Sequence, residues 1–233
     1  MPPANRKRPE PQKAISPIPG DSLAEYAYAS VKEKIIFHEF KGGDAIDELM
    51  LAKDLELSRT PVREAVQRLA QEGLLRIIPR KGVLVTELTL DLMRQIFEAR
   101  SPCEVQIVRL AAKRADESEI KEMEEALTEM NALIPEKRFR ELLKADRKFH
   151  MTLARASKNR LLYDMFEKVY SLGLRFWYLA LLEKSVKEVR AEIRLHMSLL
   201  KAVKANDAEG AARAVLAAVE DFPSRVSRSM RYR

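Results

Sequence analysis

Cysteine, glycine, aromatic residues and long apolar runs are all scarce or absent in this chain, and their scarcity limits the class of protein it can be. A single cysteine, Cys103, in 233 residues rules out an internal disulfide framework and fits a reducing cytoplasm. Only 7 glycines and 6% aromatic residues, beside 46% hydrophobic residues, favour a helix-rich soluble protein. No apolar run approaches the roughly 20 residues of a membrane span, and the N-terminus lacks the apolar segment of a secretory signal. We therefore expect a cytoplasmic protein with no membrane partner.

The charge of the chain is informative only where it is concentrated. The formal net charge is +7, which fits a nucleic-acid partner but does not require one. The first 88 residues are almost balanced, with 14 basic and 13 acidic side chains. Within residues 58–81, by contrast, six basic residues face only two acidic ones, Glu64 and Glu72. The basic residues of this segment are Arg59, Arg63, Arg68, Arg76, Arg80 and Lys81.

The N-terminal part of the chain divides into an arm and a small folded unit. Residues 1–20 hold six of the 11 prolines and cannot bury enough apolar surface to order, so we expect a flexible basic arm. It is either a disordered tail or a segment that follows DNA phosphates. Residues 21–88 predict three helices and a β-hairpin. These elements fall at about 23–38, 47–54 and 58–71, with a break at Gly42 and Gly43, and then at 75–86 around the turn 79–82.

Residues 89–233 predict a second, all-helical domain. Six amphipathic segments are joined by short loops, which indicates an antiparallel bundle. Pro102 should kink the first segment, and arginines in the last twelve residues suggest a solvated tail. The segments fall at about 89–115, 118–133, 135–157, 159–182, 186–206 and 207–230. The fold class is thus mainly α, a winged helix-turn-helix followed by a helical bundle.

The third helix has one apolar and one basic face. Four apolar residues recur at i, i+3, i+4 and i+7 and should be buried; they are Val62, Ala65, Val66 and Leu69. Arg59, Arg63 and Gln67 lie opposite, near the helix start, where a recognition helix reaches base edges and an arginine can bind guanine. Arg80 and Lys81 at the hairpin tip suit a phosphate or minor-groove contact. The alternative is an ordinary solvated face, but a turn before this helix and a wing after it favour double-stranded DNA as the partner.

Residues 58–66, Ser-Arg-Thr-Pro-Val-Arg-Glu-Ala-Val, and 69–75, Leu-Ala-Gln-Glu-Gly-Leu-Leu, resemble the DNA-binding domain of GntR-family bacterial regulators. The helical remainder resembles the ligand-binding domain of the FadR-type (FCD) subfamily. The resemblance implies DNA contacts by the residues Ser58, Arg59, Thr60, Arg63, Arg80, Lys81 and Gly82. Two departures are visible: Leu49 stands where many members have a DNA-contacting arginine, and Gly43 stands where a proline is common.

Asp146 and His150 lie four residues apart and share a helix face, and His196 is on a later helix that could pack against it. One carboxylate and two imidazoles can hold Zn²⁺, Ni²⁺ or Mn²⁺. Equally, an Asp–His pair at this spacing is often a surface hydrogen bond, and a histidine in an amphipathic helix is often part of the packing. The resemblance favours metal, because Asp-x-x-x-His looks like the subfamily's metal signature. Its third histidine, however, would fall at Ala218.

The resemblance also implies how such a protein works. Arg100 occupies a position where relatives hold an arginine that can pair with an anionic effector, and a structural ion pair is the alternative. We expect a homodimeric regulator, usually a repressor, that binds a palindromic operator and responds to a small organic acid bound near Arg100, Asp146, His150 and His196. The rival hypothesis is a metal-dependent hydrolytic enzyme using the same Asp and His residues. No motif for a general base, phosphate loop or nucleophile supports that rival. The cluster Phe176, Trp177 and Tyr178 suggests core or dimer packing.

Overall fold

The computed structural model describes residues 22–220 and confirms the mainly α fold class. The arm at 1–20 and the tail at the C-terminus lie outside the described residues. The helices are α1 (Leu23–Ile36), α2 (Glu48–Asp54), α3 (Arg59–Gln71), α4 (Leu90–Arg114), α5 (Glu117–Leu133), α6 (Phe139–Ala156), α7 (Arg160–Glu183), α8 (Val186–Lys204) and α9 (Ala208–Glu220). The strands are β1 (Ala45–Ile46), β2 (Leu75–Ile78) and β3 (Gly82–Val85).

The first three helices and the sheet form one compact unit with its own core. The predicted apolar stripe of α3 is buried against α1, with Val62, Val66 and Leu69 fully buried. The sheet is antiparallel in the order β1-β3-β2, and Ile78 pairs with Gly82 at the tip of the predicted hairpin. The two-residue strand β1, which pairs with β3, was not predicted, because two residues carry no periodicity.

Two helix ends differ from the predictions for a reason visible in the backbone. Helix α1 stops at Ile36, close to the predicted end near His38, but His38 itself, with φ 57°, ends the helix rather than the glycines at 42 and 43. Helix α6 begins at Phe139 rather than at Pro135, since Lys137 takes a left-handed conformation at φ 53° and keeps the preceding turn out of the helix. Gly73, at φ 84°, does follow the end of α3 as predicted.

Helices α4 to α9 pack into a bundle around a second, larger core. Helix α4 continues through Pro102 for 25 residues. Reciprocal capping boxes start α5 at Asp116 and Glu119 and α8 at Ser185 and Glu188. None of the helices in the described range is long and apolar enough to cross a membrane.

The end of α1 joins the two cores. Phe37 packs into the larger core, where its ring meets the edge of Tyr178 at a centroid distance of 5.0 Å. Two ion pairs connect α6 to this region, Arg140 to Glu39 at 2.7 Å and Lys144 to Glu33 at 2.8 Å. On the other side, Leu172 of α7 packs against the smaller core. Helix α7 therefore contacts both cores, and α6 is linked to the end of α1 by ion pairs.

Candidate functional sites

The start of α3 presents a basic surface to solvent. Arg59, Thr60, Arg63 and Gln67 are all exposed, and neither Arg59 nor Arg63 forms an ion pair with another described residue. Ser58 is the N-cap residue, but its hydroxyl makes no capping hydrogen bond and is left for other partners. Such an arrangement leaves arginine forks able to reach base edges or phosphates.

Arg68, in contrast, is not part of this surface. Its guanidinium donates to Glu25 at 2.6 Å and lies over the Tyr28 ring at 3.6 Å from the ring centroid. It fastens α3 to α1, and its partners hold its pKa above the usual value although burial alone would lower it. Of the basic residues on α3, Arg68 therefore stabilises the packing of α3 on α1, whereas Arg59 and Arg63 face the solvent.

The wing tip contains a backbone conformation that costs energy. The N–H of Lys81 donates to Ile78 O at 3.0 Å across Pro79 and Arg80, and Arg80 has φ 65° in the position where such a turn normally has glycine. Left-handed backbone in a non-glycine residue costs about 1 kcal/mol or more and concentrates at functional sites. The Arg80 side chain is exposed at this position. Leu49, the site of a departure from the family pattern, is 58% exposed.

The helical bundle encloses a cavity of about 110 Å³. Its walls are largely apolar and include Leu142, Leu181, Val189, Ile193, Leu199 and Val215, while its polar lining consists of Arg100, Glu104, Asp146, His150, Lys184, Glu192 and His196. All four residues predicted for an effector site line this one cavity. An apolar pocket with a few convergent polar groups is the usual form of a small-molecule site.

Three of these residues converge on one point. Asp146 Oδ1 lies 3.0 Å from His196 Nε2 and 3.8 Å from His150 Nε2, and the two Nε2 atoms are 3.1 Å apart. A point about 2 Å from all three atoms exists, and this is the bond length of Zn²⁺ to imidazole nitrogen and carboxylate oxygen. Helix α6 supplies two of the atoms because Asp146 and His150 are one turn apart; α8 supplies the third.

The surroundings fix both imidazoles with their Nε2 lone pairs inward. His196 Nδ1 lies 3.1 Å from Glu192 O, a carbonyl that can only accept, so Nδ1 carries the proton. His150 Nδ1 lies 3.1 Å from Glu104 Oε1, too poorly aligned for a hydrogen bond, but this nearby carboxylate favours the Nδ1–H form. When both imidazoles are neutral, His150 Nε2, His196 Nε2 and Asp146 Oδ1 are three acceptors that face one another. Such an arrangement requires a cation between them, either a metal ion or a proton.

The charges of the cavity reflect this crowding. Burial opposes the ionisation of Asp146, but His150 and His196 outweigh it and hold its pKa well below the usual range. Burial lowers the pKa of His196, yet the contact with Asp146 raises it above the usual value overall. Tyr170 donates to Asp146 Oδ2 at 2.5 Å and fixes the carboxylate, while burial and Asp146 raise the pKa of this phenol.

Arg100 and Glu104 form a buried pair beside the histidines. The Arg100 Nε donates to Glu104 Oε2 at 2.7 Å, and the guanidinium lies 4.2 Å from the centroid of a Trp177 ring. Burial would raise the pKa of Glu104, but Arg100 and His150 hold it at about 2. Arg100 thus lines the cavity and also forms the structural ion pair that was the alternative interpretation of the sequence.

Sequence reasoning missed several residues of this site. Glu104 could have been found from its i,i+4 spacing to Arg100, whereas Tyr170, Lys184 and Glu192 carried no signal. Trp177 lines the cavity, so assigning it to packing was incomplete. It lies against Gly173, where a Cβ would come within 2.6 Å of the indole Cζ3. Glycine in mid-helix usually destabilises, and here it makes room for this ring.

The comparisons with known proteins agree with both halves of the chain. The pattern of the family described as "Bacterial regulatory proteins, gntR family" matches residues 23–85, and that of the "FCD domain" matches residues 95–221. The chain is 34% identical to an uncharacterized HTH-type transcriptional regulator, YdhC of Bacillus subtilis, over 82% of this chain and 84% of that protein. It is 24% identical to the HTH-type transcriptional repressor RspR of Escherichia coli over 89% and 90% of the two chains. Among solved structures, E. coli McbR/YncC superimposes with a TM-score of 0.81 at 22% identity, over 91% of this chain and 100% of that one.

Proposed function

This chain belongs to the GntR family of bacterial regulatory proteins that carry an FCD domain, and from this premise we propose that it is a cytoplasmic, homodimeric repressor whose operator affinity is set by a ligand in the helical cavity. Family membership makes it a DNA-binding transcription regulator and decides against the hydrolytic enzyme. The observation that carries the proposal is the pairing, in one chain, of an exposed and unpaired basic surface on α3 with a buried cluster of metal-type ligands.

We assign DNA reading to residues 21–88 and ligand sensing with dimerisation to residues 89–233. Ser58, Arg59, Thr60 and Arg63 would contact base edges in the major groove. The wing residues Arg80, Lys81 and Gly82 would contact phosphates or the minor groove. A two-fold dimer places two copies of α3 about 34 Å apart, one helical turn of DNA, so the operator should be a palindrome. Repression has a precedent in the relative that is named a repressor.

The first experiment selects binding sites from random double-stranded DNA with the full-length protein and measures its mass in solution. We expect a palindrome whose half-sites are centred about 10 base pairs apart, bound by a dimer. A promoter fusion carrying the selected site should be expressed less in the presence of the protein. A monomer bound to a single asymmetric half-site would contradict the dimer. A rise in expression would contradict the repressor assignment.

In the cavity, Asp146, His150 and His196 would hold a divalent cation such as Zn²⁺, Ni²⁺ or Mn²⁺. A bound metal of this kind supplies open coordination positions to a carboxylate ligand. The fit rests on three converging acceptors and on Glu104 and the Glu192 carbonyl, which orient the rings from behind. Ala218 lines the same cavity at the position of the family's third histidine, so this chain offers one ligand fewer.

We assign the recognition of a small organic acid to the same cavity, with Arg100 as its cationic partner. Two nitrogens of the guanidinium, Nε and Nη2, donate to Glu104, and an arginine has further N–H donors for a second carboxylate. Occupancy would reach the DNA-binding half through α6, because this helix carries Asp146 and His150. The same helix pairs through Lys144 with Glu33 of α1 and through Arg140 with Glu39 just after α1. The ligand would thereby shift the population of domain arrangements.

A gain-of-ligand variant tests the metal assignment. Ala218→His should restore the third imidazole and increase the affinity for Zn²⁺ measured by calorimetry after chelation, whereas Ala217→His, at the exposed neighbouring position, should not. His150→Ala should lower the affinity. If elemental analysis and titration find no metal in any of these proteins, while His150→Ala still abolishes binding of organic acids, the histidines hydrogen-bond the ligand directly in a metal-free pocket.

A further inference from the structure

A second group of unusual side chains lies where α7 meets the DNA-binding half. Buried side-chain atoms without a hydrogen-bond partner belong, in residues 22–220, to Thr86, His150, Ser171 and Arg175. His150 is part of the cavity described above. The other three residues are at the junction of the two cores, and none of them has a role in the proposed function. Buried polar groups are nearly always paired, so such a concentration needs an explanation.

Arg175 is the most demanding member of this group. Its side chain is fully buried, at 0% exposure, and none of its three guanidinium nitrogens has a partner. Burial lowers the pKa of Arg175 to about 10, which still leaves the group protonated at neutral pH. The positive charge therefore cannot be relieved by losing a proton. A buried charge of this kind requires a counter-ion.

The guanidinium of Arg175 has no carboxylate partner among residues 22–220. Three acids on α1, just after α1 and on α7 are each bound by another base. The pairs are Glu33 with Lys144 at 2.8 Å, Glu39 with Arg140 at 2.7 Å and Glu167 with Arg147 at 2.5 Å. The carbonyl of Arg175 itself accepts from His38 Nε2 at 3.2 Å, which adds another donor rather than an acceptor.

The unpartnered hydroxyl of Ser171 lies close to Arg175. Ser171 precedes Arg175 by four residues, so both side chains are on the same face of α7, with Cβ atoms about 5–6 Å apart. Thr86 is on the DNA-binding side, since its N–H donates to Leu74 O, and the adjacent Gly73 lies against Leu172 of α7. We propose that Arg175, with Ser171 and Thr86, forms a binding site for one small inorganic anion, such as chloride, between the two domains.

The chemistry selects the class of ligand. A guanidinium and hydroxyl groups all donate, which suits a monovalent anion and excludes a metal cation. Full burial excludes a nucleic-acid phosphate or a bulky organic acid, so this ligand differs from the proposed effector. The anion would stabilise this domain arrangement by binding to one side of α7, while Trp177 of the same helix lines the ligand cavity.

Melting temperatures measured in chloride test the proposal on the intact protein. Sodium chloride is compared with sodium gluconate at equal ionic strength, gluconate being too large to enter. Above its dissociation constant, each tenfold rise in chloride should raise the melting temperature by about 3–5 °C. Arg175→Met should abolish this dependence, and Arg147→Met, which removes a partly exposed arginine of α6, should retain it. Equal melting temperatures of the wild type in both salts would overturn the proposal.

Crystals grown in sodium bromide provide a readout that does not depend on any variant. We expect an anomalous peak within hydrogen-bond distance of the Arg175 guanidinium and one of the two hydroxyls. A site filled by water alone at high bromide concentration, or a carboxylate of the chain paired with Arg175, would refute the anion site. Neither result would affect the proposed ligand cavity, whose residues are separate.

Discussion

Replacing Glu104 with glutamine removes one negative charge from the most tightly connected group in the cavity. The carboxylate is 2% exposed, accepts from Arg100 Nε at 2.7 Å and lies 3.1 Å from His150 Nδ1. Glutamine has nearly the same shape, so the change leaves packing intact. The change removes the negative charge that balances Arg100. The glutamine amide can also present an N–H to His150 Nδ1, where an acceptor is needed to favour the ring protonated on Nδ1.

Loss of this buried charge should cost several kcal/mol of stability. Breaking a buried ion pair from one side costs about 3–5 kcal/mol. The folded-state pKa of Glu104 is about 2, against 4.5 for an unperturbed glutamate, which corresponds to about 3 kcal/mol of stability at neutral pH. Since this pKa is depressed on folding, the contribution is present above pH 4.5 and is lost as the pH falls towards 2.

Thermal unfolding at pH 7 is the assay. We expect Glu104→Gln to lower the melting temperature by about 6–20 °C. The matched control is Glu209→Gln, which breaks the exposed pair with Arg109 and should have little effect. Below pH 4.5 the gap between wild type and Glu104→Gln should narrow. A variant that melts with the wild type at pH 7, or a gap that does not depend on pH, would refute the argument that this pair is fully formed and buried.

Three further predictions concern the two sites. Arg63→Ala should weaken binding to the selected operator by about 1–3 kcal/mol and binding to scrambled DNA much less. Lys81→Ala should weaken binding to both DNAs similarly and reduce the slope of the salt dependence by about one unit. Equal losses on both DNAs for Arg63→Ala would contradict base readout. Gly173→Ala should displace the indole of Trp177, the only tryptophan, and change its fluorescence spectrum; an unchanged spectrum would show that the close contact is absent. Zn²⁺ affinity should fall as the pH drops through the raised pKa of His196, because the proton and the metal compete for one nitrogen; calorimetry giving equal affinity at pH 6 and pH 8 would contradict that competition.

The sequence was most informative where the structure depends on local patterns. The buried stripe of α3 and its opposite basic face follow from helical periodicity, and all four apolar residues are buried. Asp146 and His150 could be paired from their spacing alone. Helix ends set by residues with left-handed backbone, such as His38 and Lys137, could not be predicted. Non-glycine residues adopt a positive φ only rarely, so the residue type does not reveal where this happens.

Long-range contacts were beyond the reach of pattern reasoning. The contact between His196 and His150 depends on how α8 packs on α6. The sequence was compatible with this contact but could not predict it. Tyr170, which holds Asp146, gave no signal because an aromatic residue in a helix is usually part of the core. The unpaired charge of Arg175 is likewise a property of tertiary packing.

Control of DNA binding by the cavity is tested most directly by operator affinity, measured by fluorescence anisotropy. Chelated wild-type protein and His196→Ala are titrated onto the selected operator, each with Zn²⁺ alone and with Zn²⁺ plus a series of mono-, di- and tricarboxylates. We predict that at least one condition changes the wild-type affinity by fivefold or more, as coupling of about 1 kcal/mol requires, and that His196→Ala does not respond. Wild-type affinity that is the same in every condition, or an equal response in His196→Ala, would contradict the account.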